Sequence, residues 1–261
     1  VNLATSKISG IPPAFSLPKE KEKFLAHAKA HPNKLWVQKN NKHRGIKVLK
    51  LDELDLSQEN SFIQEYIANP LLIDGKKFDI GVYTMVTSVS PLRVYTYDGD
   101  ALLRFCPMDY HPFDPTLLDK YVVGDDYLPT WKVQSLGKFY NDQKHTFKGS
   151  LNAYLRSQGM DPTLVWEKIH STIRDVMLDK EEQFLSLIPK YKFPWNFFEL
   201  SRFDFVLDEN LNVYLMEANM SPNLSSGHFA PNKLLYEQVV FNLLSLVGVG
   251  RTVTSDSLKE E

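Results

Sequence analysis

The 261 residues, 43% apolar and 24% charged, can bury a full core as one large domain or as two lobes, and this composition excludes a chain disordered along its length. A formal charge of −2 and a sequence pI of about 6.4 argue against a nucleic-acid binder, so affinity for an acidic partner would have to come from a local patch. A single cysteine, Cys106, excludes an internal disulfide framework and a cysteine zinc site, the seven histidines show no ligand spacing, and no run approaches the roughly 18 apolar residues of a membrane span.

The chain opens at Val1 with no basic-then-apolar leader pattern, which points to a fragment or processed form. A proline-rich connector leads into a helical pattern from about Pro18 to Ala30. LWVQK, residues 35–39, reads as a strand, KNNKHRG as a basic loop and IKVLKL as the return strand of a hairpin. SFIQEYI is a further strand, closed by Asn69-Pro70. From Lys77 to Phe105 β-formers dominate, broken at Ser90-Pro91 and Asp98-Gly99, as in an antiparallel meander. Residues 107–149 read as a long irregular segment, of the kind that carries function. Helices follow near 150–158 and 161–188, the second opened by Asp161-Pro162. Strands over 197–207 and 212–219 are joined by Asp208-Glu209-Asn210, a helix spans about 231–247, and a polar tail ends the chain.

The last pair of strands, FELSRFDFVLDENLNVYLMEAN, carries the clearest chemistry. Strict alternation puts Val213, Leu215, Glu217 and Asn219 on one face, which turns from apolar to oxygen-rich at its end. Antiparallel return brings Glu217 and Asn219 alongside Asp204. Two carboxylates and an amide oxygen in that arrangement suit Mg²⁺, or else mark a strand end where Asp and Glu meet solvent. Lys39, at the end of its strand and ahead of a polar loop with Gly45, is a candidate phosphate contact or a solvated lysine. Cys106 and His111 form no convincing nucleophile pair.

Taken in order, LWVQK, FIQEYI, LLIDGKKFDI, VYTMVTSVSPLRVY, LLRF, FELSRFDFVLD and LMEANMSPNL resemble the tubulin tyrosine ligase-like family from Ile11-Pro12 to about Leu246. DFVLD with LMEAN is the most specific part. The resemblance implies an α+β chain with the ATP-grasp fold, two β-rich lobes with flanking helices and the nucleotide between them. Residues 1–67 would form part of the central lobe with flap hairpin and hinge, residues 68–250 the C-terminal lobe, and 251–261 the tail. It implies ATP and Mg²⁺ as cofactors, with Asp204, Glu217 and Asn219 on the metal and Lys39 at the phosphates. Gln64, Glu65, Tyr66 and Ile67 would form the adenine hinge, Lys77 and Asp79 would flank the nucleotide, and Arg104 and Lys77 would serve catalysis.

The implied reaction is carboxylate activation as an acyl-phosphate followed by amide formation. Its acceptor would be the acidic C-terminal tail of tubulin, on microtubules or free, with glutamate as the amino acid added. The run Lys34, Lys39, Lys42, Arg44, Lys47 and Lys50, without an acidic residue between, either faces such a tail or is a solvated hairpin. Cytoplasmic, cytoskeleton-associated localisation, including the cilium, follows from the resemblance. The chain departs from the family where Phe-Asp-Leu/Ile-Arg reads Phe78-Asp79-Ile80-Gly81, where His-Leu-Thr-Asn reads Val123-Gly124-Asp125-Asp126, where Lys-Pro reads Lys39-Asn40, where a basic residue gives way to Glu65, and where Arg202 replaces a glycine. Two readings stay open. In a divergent ligase, Arg202 or Arg44 replaces the missing charge; in an impaired pseudo-ligase, nucleotide or microtubules are bound without efficient transfer.

Overall fold

A computed structural model describes residues 3–40, 46–190 and 197–249. All strand pairings within it are antiparallel, and they form two sheets. The first contains β1 (Ala14–Leu17), β2 (Trp36–Asn40), β3 (Lys47–Leu49) and β4 (Ser61–Glu65), in the order β1-β4-β2-β3. Helix α1 (Lys21–Ala30) lies on it, with Phe24 packed edge-on against Trp36 at 4.9 Å in a small core of its own. The proline-rich connector thus contains a strand, because Ala14 to Leu17 pair with Ser61 to Gln64. The helix accordingly starts three residues later than Pro18. Residues 41–45 of the basic loop, Arg44 among them, lie outside the described residues.

The second sheet runs β11-β10-β6-β8-β9, with β5 and β7 also paired to the 14-residue β6 (Lys76–Val89). Its other strands are β5 (Leu72–Ile73), β7 (Leu92–Thr96), β8 (Leu102–Phe105), β9 (Leu128–Pro129), β10 (Glu199–Leu207) and β11 (Val213–Met220). Asp74 and Gly75, both at positive φ, close the two-residue hairpin between β5 and β6. The segment 107–149 holds more order than its composition suggests. It includes β9, a helical turn α2 (Gln134–Gly137) and the start of α3 (Phe147–Ser157), where Thr146 Oγ1 accepts from the Gly149 N–H. Helix α4 (Pro162–Leu187) starts as the Asp161-Pro162 pair requires, with Asp161 accepting from the Thr163 N–H. Helix α5 (Asn232–Leu246) closes the fold.

Alternation along β6 divides its two faces. Phe78, Ile80 and Val82 enter the main core with Phe203 and Phe205 of β10, Phe105 of β8, and Ile169 and Ile173 of α4. Lys77, Asp79, Gly81 and Tyr83 point the other way, with Tyr83 still in the core against Tyr236, beyond the charged stretch. Their neighbours in register are Arg104 beside Asp79, Asp204 beside Gly81 and Arg202 beside Tyr83. One face of the sheet is therefore apolar and the other is charged across three adjacent strands. The continuous face expected from Val213 to Asn219 is corrected by a bulge. Phe205 pairs with Leu215 and Asp204 with Glu217, so Met216 is the extra residue. Val213 and Leu215 consequently enter the core while Glu217 and Asn219 join the charged face.

Candidate functional site

The charged face is built from two carboxylates and two guanidinium groups. Arg104 on β8 meets Asp79 through a two-point fork, Nε to Oδ1 at 2.9 Å and Nη2 to Oδ2 at 2.7 Å. The same Nη2 reaches Asp204 Oδ2 at 3.0 Å. Arg202 forms a second fork on Asp204, Nε to Oδ1 at 2.7 Å and Nη2 to Oδ2 at 2.9 Å. Asn219 on β11 adds its side-chain amide, Nδ2 to Asp204 Oδ2 at 2.9 Å. Asp79, Asp204 and Arg202 are buried. Such groups remain charged inside a protein only when paired and hydrogen-bonded.

Burial shapes their acidity. It pushes the Asp79 carboxyl up, to about 6, against the opposing pull of Arg104 and with the help of the nearby Asp204 charge. Burial works against the charged form of both guanidiniums, but attraction to Asp79 and Asp204 outweighs it and holds Arg104 and Arg202 above their ordinary values.

Lys77 continues this face toward the first sheet. Its Nζ donates to the Tyr121 carbonyl at 2.8 Å and lies 5.2 Å from the centroid of the Tyr66 ring. Burial brings its pKa down to about 8. Tyr66, Tyr110 and Tyr121 cluster with Val37 and Val48, and this cluster joins the segment after β8 to the first sheet. The Tyr66 and Tyr110 hydroxyls lie 3.1 Å apart. Lys39, on β2, is close enough to Glu217 for that charge to raise its pKa, although burial lowers it more.

The structure thus gathers Asp79, Arg104, Asp204 and Asn219 directly, sets Glu217 opposite Asp204, and brings Lys39 and Lys77 to the margin. The segment Gln64–Ile67 ends β4 and continues beyond it. The Gln64 amide donates to the Pro12 carbonyl, the Glu65 N–H to Pro13 and the Tyr66 N–H to Leu35. The Glu65 side chain pairs with Lys34 and approaches His27. Ile67 is half-buried beyond the strand. Asp125 and Asp126 are exposed.

The metal expectation meets a specific obstacle at Asp204. An ionised carboxylate offers about four acceptor sites, two on each oxygen, and here four N–H groups reach them, three crowding Oδ2 and one, from Arg202, on Oδ1. Mg²⁺ needs an open oxygen at about 2.0–2.1 Å, and both Asp204 oxygens already face a guanidinium. Glu217 is exposed, and among the described residues no group of three or more His, Cys, Asp or Glu side chains is placed to hold a metal ion. In this arrangement the Asp204, Glu217 and Asn219 set does not fit a divalent ion. The charges of Asp79, Asp204, Arg104 and Arg202 balance one another, and what the margin adds is the positive charge of Lys77 and Lys39, suited to a phosphate or carboxylate ligand.

Sequence reasoning placed Arg202 in the region but missed its fork on Asp204. The signal was present, since residues two apart in a strand share a face. The Tyr121 carbonyl that caps Lys77 had no signal, because any residue could supply it.

Two antiparallel sheets, one bearing a buried guanidinium–carboxylate face, define a mixed α/β protein built around an ionic strand surface. The chain belongs to the tubulin-tyrosine ligase family, whose model matches residues 3–256. It is 55% identical over 258 residues to the probable tubulin polyglutamylase ttll-15 of Caenorhabditis elegans, covering 98% of this chain and 50% of that protein. It is 30% identical over 257 residues to the human tubulin monoglutamylase TTLL4, covering 93% of this chain and 21% of that protein. With the mouse tubulin polyglutamylase TTLL6 it shares 26% over 263 residues, covering 96% of this chain and 31% of that protein. The chain therefore spans half or less of each of these relatives.

Proposed function

We propose that this chain is the ATP-using portion of a ligase that joins glutamate to glutamate side chains in the acidic C-terminal tail of tubulin. The observation that carries the reading is the pair of lysines, Lys77 and Lys39, brought to the margin of the Arg104–Asp79 fork, within a family whose relatives above are named as tubulin glutamylases. In the ATP-grasp arrangement proposed here, nucleotide lies between the two sheets, with Gln64–Ile67 along the adenine and Lys39, Lys77 and Asp79 beside the phosphates. Carbonyl oxygens of that segment would be its main adenine contacts, because the Glu65 and Tyr66 N–H groups are used inside the fold.

An oxygen of the acceptor carboxylate attacks the γ-phosphorus, the bond to the bridging oxygen of ADP breaks, and an acyl-phosphate forms. The amine of the incoming glutamate then attacks the acyl carbon. Phosphate leaves with the electron pair of the broken C–O bond, and the nitrogen loses a proton. Arg104 and Lys77 hold the anions in place and offset charge as it builds, so no protein nucleophile is required. Mg²⁺ would arrive on the phosphates of ATP, since the Asp204 set does not present a ready site. A tubulin substrate would place the protein in the cytoplasm on the cytoskeleton, cilia included.

The test is incubation of the full-length protein with ATP, labelled glutamate, glycine or tyrosine, and a panel of acidic-tailed proteins that includes tubulin. We expect glutamate on the tubulin tail with ADP released in equal amount, both lost in Arg104→Ala. Label on another protein alone would discard the tubulin assignment, and no ADP release at all would discard the ligase.

A further inference from the structure

The mismatch at Asp204 has a structural cause one strand away. Gly81 stands beside Asp204 in the β6–β10 ladder, and the Arg202 stem lies across it. A Cβ at position 81 would sit 2.8 Å from Arg202 Cδ, 3.3 Å from its Cγ and 3.2 Å from Asp204 Oδ1. The first distance is far inside van der Waals contact, so only glycine leaves room for Arg202 in this position. Arg202 and Asp204 are two residues apart on one strand and share a face, which lets the guanidinium fold back into its two-point fork.

We propose that Arg202 is an internal counter-cation, held on Asp204 in the space left by Gly81, that uses the acceptor capacity a divalent ion would need and so keeps metal affinity at this carboxylate low. Its location deepens the ligase reading, since it assigns a regulating role to a residue of the same site, but it depends only on the geometry around Asp204. Asp79 and Asp204 are balanced by Arg104 and Arg202, so a divalent ion placed there would add two positive charges to a neutral buried set. Removal of Arg202 leaves that set one charge negative, with the exposed Glu217 opposite Asp204 and the Asn219 amide still beside it. Metal binding at Asp204 then becomes favourable.

The measurement is a calorimetric titration of Mn²⁺, without nucleotide, into the full-length protein and its variants. Arg202→Gly should bind Mn²⁺ at least about tenfold more tightly than wild type, the scale on which groups beside a metal ligand act. Adding Asp204→Asn to that variant should abolish the gain. Gly81→Ala retains both charges but pushes the Arg202 stem aside, and should raise affinity in the same direction. Arg202→Lys, which cannot form the fork, should fall between wild type and Arg202→Gly. The last two variants carry the test if Arg202→Gly does not fold, as judged by circular dichroism.

Equal Mn²⁺ affinity across wild type, Gly81→Ala and Arg202→Lys overturns the proposal. So does a gain that survives Asp204→Asn. Glutamate transfer by the wild-type protein is scored separately: its absence beside the expected Mn²⁺ series defeats the ligase reading alone, and its presence beside a flat series defeats the Arg202 assignment alone.

Discussion

Glu217 stands opposite Asp204 in the β10–β11 ladder, although Leu215, only two residues earlier, stands opposite Phe205 in the core. The extra residue between them, Met216, moves the carboxylate off the apolar face. Deleting Met216 should keep both pairings and merely straighten the strand, whereas deleting Ala218 should carry Asn219 to the wrong face and break its bond to Asp204. We expect cooperative urea unfolding to persist with the first deletion and a much lower midpoint with the second. Equal loss in both would mean that the bulge itself holds the strand.

The forked pair of Arg104 and Asp79 is partly shielded from solvent and shared with Asp204. Truncating Arg104 leaves Asp79 without its partner and should cost about 3–5 kcal/mol, whereas Asp79→Ala leaves Arg104 its bond to Asp204 and should cost less. The double variant should cost less than the sum, by roughly 0.5–3 kcal/mol, because the second truncation removes the orphaned charge. Urea midpoints of the four proteins in that cycle measure the coupling, and additive losses would show that the two groups act independently.

Regular alternation and punctuation made much of this fold readable. Asp161-Pro162 marked the start of α4, and the β-formers from Lys77 to Phe105 marked the meander. Strand β1 was hidden because Pro12 and Pro13 precede it and only its pairing with β4 makes Ala14 to Leu17 extended. The Asp74-Gly75 hairpin was missed, because its first strand is only two residues long and carries no alternation to read. At the site, Asp204 and Asn219 met as alternation and antiparallel return required. The Met216 bulge could not be read, because a pairing register depends on both strands and the core beneath them. Nor could the competition between Arg202 and a metal, which turns on the missing Cβ of Gly81 on a third strand.

Lys77 is a charged group in a buried place, and its pKa of about 8 lies below the ordinary lysine value of 10.5. Above pH 8 the folded chain gives up this proton while the unfolded chain keeps it, so stability from this group rises with pH up to about 10.5 and is at its lowest below 8. Lys77→Met should therefore stabilise the protein at neutral pH by on the order of 2 kcal/mol, after allowance for the lost bond to the Tyr121 carbonyl. The gap between variant and wild type should narrow on going to about pH 9.5. Cys106, whose thiol burial pushes up to about 12 against the opposing pull of Lys77, opposes stability in the alkaline range in both proteins, and more in the variant that lacks that pull, which narrows the gap in the same direction. A gap independent of pH would show that Lys77 is not desolvated.

Glu65 separates a side-chain role from a backbone one. Its carboxylate is paired with Lys34, which is well exposed, and with His27 at 3.7 Å, so the side chain faces the α1 edge of the first sheet. An ion pair of this kind contributes about 0–1 kcal/mol and weakens with salt. Glu65→Gln should thus lower the urea midpoint only slightly, with the difference fading as salt is added. Under the proposed nucleotide placement the carbonyl of residue 65 is unchanged by that substitution, so ATP affinity measured by calorimetry should stay within about threefold, which is under 1 kcal/mol. A tenfold loss of ATP affinity would place the Glu65 carboxylate itself on the nucleotide and would require the side chain to leave Lys34 when ATP binds.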